Sequence, residues 1–125
     1  MGELKAYPEW DHEINARWID AANVFGRHLM SAAKDFSFER MSPSLSDSER
    51  NAAEKAALDA IHGVMMLLDG IAATRAGPGH VIDYALIARV RDRQSDTCVE
   101  SIELAPSGDG LCMGLAGWSQ GDFGA

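Results

Sequence analysis

The stretch 46–74 constrains this chain more than any other. It opens with Ser46-Asp47-Ser48-Glu49. At that spacing a serine hydroxyl caps the Glu49 amide while the glutamate reaches back to the serine amide. The stretch then runs through alanines and large aliphatics to Leu67-Leu68-Asp69-Gly70. Ala53, Ala57, Ala60, Ile61, Val64, Leu68 and Ile71 form one helical face, and Leu58, Met65, Met66 and Leu67 fill much of the rest. A helix that is apolar on nearly every side has to be covered on nearly every side.

The remainder of a 125-residue chain offers little to cover it with. Residues 8–34 predict the first helix: Pro8 suits a first helical position, and Glu9, Asp11 and Glu13 favour the positive end of the helix dipole. Trp10, Ile14, Trp18, Ala21, Phe25, Leu29 and Ala32 give it a single apolar stripe. Gly26 inside it costs about 1 kcal/mol relative to Ala and marks a close crossing. A short Ser42-Pro43-Ser44 loop leads into helix 46–74, so the two helices are expected to lie antiparallel.

After Gly77-Pro78-Gly79 the period changes to two. Leu86, Ala88 and Val90 alternate with Ile87, Arg89 and Arg91. Cys98, Glu100, Ile102 and Leu104 alternate with Val99, Ser101 and Glu103, across a polar turn at Asp92–Asp96. That is a hairpin of strands at about 81–91 and 97–105, with Arg89 expected beside Glu100. In the glycine-rich segment 106–125, the apolar piece Leu111 to Trp118 reads as a third strand or one to two helical turns, and Gly121 to Ala125 as a loose tail. The expected fold is α+β in one domain over residues 1–125: two long antiparallel helices followed by a small β-hairpin or three-stranded meander. Because helix 46–74 outruns this cover, a homodimer is expected, with that helix or the apolar side of the first at a two-fold interface.

His62 and Asp69 lie inside the most apolar part of this helix, and Asp59 stands three residues before His62. His62 and Asp69 lie seven apart, on one face but about 10 Å apart along the axis, so only Asp59 can reach the imidazole. They form the candidate polar site. One reading makes His62 a base or ligand; the other makes it and Asp69 polar groups satisfied inside a core. Glu9…His12 and Asp59…His62 share the acid-x-x-His spacing of helix-bundle metal sites. No further inward carboxylate joins them, and no H-E-x-x-H occurs, so no metal and no cofactor is expected. Gly108-x-Gly110-x-x-x-Gly114 has neither a following Lys nor room for a strand–helix–strand unit, which leaves a glycine-rich turn. No G-x-S-x-G is present, and no residue is assigned a catalytic role.

Composition narrows the function classes. Nineteen acidic against 11 basic residues give a net charge of −8, which disfavours nucleic acid and anionic membrane surfaces as partners and suits a basic protein partner. Cys98 and Cys112 form no C-x-x-C pair and fit a reducing compartment. Met1-Gly2-Glu3-Leu4-Lys5 lacks the apolar region of a secretory leader. A bacterial cytoplasmic location is therefore expected, alanine-rich and lysine-poor composition being what GC-rich coding yields. The leading expectation is a non-catalytic interaction module acting as a homodimer. An acidic immunity or inhibitor-type protein that binds a basic partner is the second, and a small-molecule or metal-binding enzyme centred on His62 is the third.

Overall fold

The computed structural model describes residues 10–13, 17–70, 73–106 and 110–124. Its elements run α1 (Trp18–Phe36), a single 3-10 turn (Phe38–Arg40), α2 (Asp47–Leu68), β1 (Thr74–Arg75), β2 (Val81–Ile82), β3 (Leu86–Arg91), β4 (Cys98–Leu104) and α3 (Gly110–Trp118). The class is α+β, with helices and antiparallel ladders segregated along the chain. No meander forms among the described residues: β1 pairs only with β2, and β3 only with β4.

α2 begins where its capping box demands. Glu49 N–H donates to Ser46 Oγ at 3.2 Å, and Ser46 N–H donates to Glu49 Oε1 at 2.9 Å. The backbone hydrogen bond from Ser46 holds the Glu49 carboxyl below the usual glutamate range. The helix ends at Leu68, six residues before β1 begins at Thr74, and not at 74 as expected, because Gly70 turns left-handed at φ 76° and stops it. Thr74 pairs with Ile82 instead, and Ile71 lies outside the described residues.

α1 starts at Trp18 rather than at 8. Residues 8–9 and 14–16 lie outside the described chain, but Asp11–Glu13 form a turn in which Glu13 N–H donates to Asp11 Oδ1 at 2.9 Å. A side-chain acceptor two residues back offers the backbone an alternative to the helix. The acidic residues read as a first helical turn belong, in part, to this loop.

In the hairpin, Leu86, Ala88 and Val90 face Leu104, Ile102 and Glu100 across the ladder. Ile102 and Leu104 are buried, while Ile87, Arg89 and Arg91 face outward. The ladder shifts between Val90 and Arg91, which pairs with Cys98. Val99 is thus an extra residue on β4, and Arg89 sits opposite Ser101 rather than beside Glu100. A one-residue slip exchanges the faces. The turn is shaped by Asp92, whose Oδ1 accepts the Gln94 and Ser95 amides at 2.9 Å each. Those bonds, Ser95 first, lower its carboxyl pKa.

The core is organised by α3, which falls in the glycine-rich segment. Leu111, Leu115 and Trp118 are buried with Ala21 and Ala22 of α1, Met65 of α2, and Ile102 and Leu104 of β4. The main helix seams run between α1 and α3 and between α2 and α3; the long helices are joined through this short one rather than to each other. Trp118 is 3% exposed. Its ring lies on Gly26, where a Cβ would overlap the indole, and on Gly114, where a Cβ would come within 2.5 Å. Its Nε1–H donates to Asn23 Oδ1 at 3.0 Å, and Phe25 meets it edge to face at 6.0 Å between centroids. Glycines that disguised a helix in the sequence are the seat for its largest side chain.

Gly26→Ala gains helix propensity but drives a methyl into the indole. We expect a net loss of about 1–2 kcal/mol, overpacking at about 1–3 outweighing a gain of about 1. Urea unfolding checks this; unchanged or raised stability would mean that Trp118 does not sit on Gly26. A second expectation concerns pH. Glu49 has a depressed pKa in the folded chain, so its contribution is present above the unfolded value of about 4.3 and fades as pH falls through the folded value. Glu49→Gln should flatten this part of an acid-stability profile without changing the neutral-pH helix content greatly.

Candidate functional site

The residues singled out in α2 part company in the structure. Asp69, at the C-cap of α2, is 8% exposed. Its Oδ1 accepts the Leu111 amide at 3.0 Å and its Oδ2 accepts the Cys112 amide at 2.9 Å. Leu111 and Cys112 are the second and third residues of α3. Their amides have no partner within the helix, and the positive end of the helix dipole favours a carboxylate there. The carboxylate therefore caps a helix 42 residues further along the chain. Its chemistry is that of an acceptor with both oxygens engaged.

His62, expected in the core, is exposed, and so is Asp59. Asp59 Oδ2 binds Lys55 Nζ at 2.6 Å, one turn earlier on the same helix. The imidazole of His62 lies in solvent. The apolar residues around it were read as a sign of burial, but much of α2 is not covered: Met65 is its one buried residue among the described positions. Asp59, His62 and Asp69 thus build no common site.

His12, expected in the first turn of the first helix with Glu9 as its partner, is better placed. His12 Nδ1 lies 3.4 Å from Glu100 Oε2, buried but without a hydrogen bond of good geometry. The Trp10 ring meets His12 edge-on at 6.1 Å. Its expected partner, Glu9, lies outside the described residues. The signal for the Glu100 contact was available in part, since Glu100 occupies an inward register position on β4. Cys98 is exposed and Cys112 half-buried, both as thiols. Among the described residues, no three His, Cys, Asp or Glu side chains converge as metal ligands, and no helix is long and apolar enough to cross a membrane.

The remaining feature is a surface. On the face of α2 turned away from α3, Ala52, Ala56, Ala60, Gly63, Val64 and Leu67 are all exposed. Val64 is 50% and Leu67 41% exposed. Gly63 has nothing within 4 Å of where a Cβ would stand. A mid-helix glycine weakens the helix by about 1 kcal/mol, and no contact among the described residues calls for it.

Comparison with protein-family models, with curated proteins and with solved structures returns no match for this chain. The geometry therefore stands on its own.

Asp69→Ala strands one buried and one part-buried amide and should destabilise the chain by about 2–3 kcal/mol, the scale of lost hydrogen bonds to a charged group. His62→Ala should lie within about 0.5 kcal/mol of the parent, as an exposed substitution does. Parallel denaturant titrations decide; equal effects from the two variants would contradict these placements.

Proposed function

We propose that this chain is a non-catalytic interaction module that works as a homodimer, with the outward face of α2 as its contact surface. The observation that carries the reading is the uncovered row of Ala60, Gly63, Val64 and Leu67. A helix whose outward face is apolar and whose glycine has no internal role is short of a neighbour. A rigid core behind it, held by α3, gives such a surface a fixed shape. The His62-centred reading draws no comparable support, since Asp59 is engaged by Lys55 and no other described titratable group meets the imidazole.

A basic protein partner is the second reading, favoured by the net charge of −8. Charge of that sign speeds encounter with a cationic surface. The two readings differ in salt dependence: apolar self-association persists at high ionic strength, whereas a charge-steered complex weakens.

Sedimentation equilibrium on the isolated chain tests the first. We expect reversible association above the monomer mass of 13.5 kDa, and Leu67→Glu should return the chain to monomer while leaving its helix content intact. A chain that stays monomeric to about 100 μM, the scale below which weak specific complexes form, would remove the reading.

A further inference from the structure

We propose that the partner on α2 is a second α2, running antiparallel, with Ala56 against Ala60 of the partner subunit. This rests on the reading of α2 as a self-association surface and adds orientation and register to it.

The spacing comes first. Glu49, Ala53, Ala56, Ala60, Gly63 and Leu67 follow one another at alternating intervals of four and three, the seam of a helix pair with a heptad repeat. Ala53 is half-buried at the rim of this row, and the other five are exposed. The small residues, Ala53 to Gly63, hold the middle of the row, with Glu49 at one end and Leu67 at the other. Two parallel copies would place Leu67 on the partner's Leu67 and Glu49 on the partner's Glu49, bulk against bulk and charge against like charge. Two antiparallel copies instead bring the unlike ends together and leave the small residues of the middle facing one another. With Ala56 opposite the partner's Ala60, Ala53 falls opposite the partner's Gly63, and Leu67 opposite the partner's Glu49. Glu49 is bent back by its bond to Ser46, which leaves its methylenes to cover the leucine.

In this register Gly63 has a purpose. Helix axes that meet through alanine approach more closely than the usual 8–10 Å or so, and a glycine opposite an alanine permits it. Without a partner, the space over Gly63 is open.

Charge agrees with this geometry. Lys55 and Asp59 lie one turn apart on the same flank of the row, both exposed, and pair within the chain. In an antiparallel pair, like flanks meet. Lys55 then stands within about 3 Å of axial rise, two residues, of the partner's Asp59, and the two-fold axis repeats the contact. A parallel pair would instead set this flank against the partner's Ala57.

Reciprocal charge reversal tests the proposal. Lys55→Asp gives a chain with two acids on the flank, and Asp59→Lys a chain with two bases. Alone, each variant should self-associate about tenfold more weakly than the parent at low salt, two ion pairs becoming two repulsions of a few tenths to 1 kcal/mol each. Mixed, they restore opposite charges only across the interface. Native mass spectrometry should then show the heterodimer in excess over both homodimers, with an affinity within about threefold of the parent's. Because each chain keeps its own like-charge pair, a purely intrachain role for Lys55 and Asp59 predicts no gain on mixing. A parent dimer whose variants gain nothing on mixing overturns this register and orientation but leaves the self-association reading standing. A monomeric parent overturns both.

Discussion

The structure depends on one carboxylate. Asp69 ends α2 and begins α3, and its two oxygens take the amides of Leu111 and Cys112. Burying a charge is costly unless its hydrogen bonds are made; here both oxygens bond to donors at the positive end of a helix. α3 needs the tether. Nine residues with glycines at 110, 114 and 117 form a segment far below the length at which a helix is stable by itself. Tied at its start by Asp69 and seated at its end through Trp118, it becomes the wedge that joins α1 to α2. Without the tether, the long helices would share little contact.

That arrangement also explains why α2 is left half-dressed. A wedge of nine residues covers one side of a 22-residue helix, and the covered side is the one with Ile61, Met65 and Leu68. The opposite side keeps its alanines, Gly63, Val64 and Leu67 in solvent. Core and surface are thus two consequences of one packing choice, and an apolar face against water is a standing drive toward association.

Local signals in the sequence translated well. Ser46 and Glu49 satisfy each other within one turn, so their spacing alone located the start of α2. The alternation of Leu86–Val90 and Glu100–Leu104 described the hairpin faces, because burial on one side imposes period two. The failures lie where a distant partner decides. Asp69 was visible as a polar residue in an apolar run, but the amides it caps are 42 positions away. Gly110, Gly114 and Gly117 leave strand and short helix equally open for 111–118, and the bulk of Trp118 against Gly26 and Gly114 explains why small residues are needed there. Val99 adds one residue to β4, and that bulge moved Arg89 from Glu100 to Ser101. Apolar content was read as burial for His62, yet a helix can be apolar on a side that its own chain never covers.

Amide hydrogen exchange by NMR tests the Asp69 tether most directly. Amides in the first turn of a helix ordinarily exchange early, since they lack helical acceptors. If the carboxylate holds them, the Leu111 and Cys112 amides will exchange as slowly as core amides of α1 such as Ala22, and only through global unfolding. Exchange of these two amides at near-unprotected rates, while α1 stays protected, would contradict it.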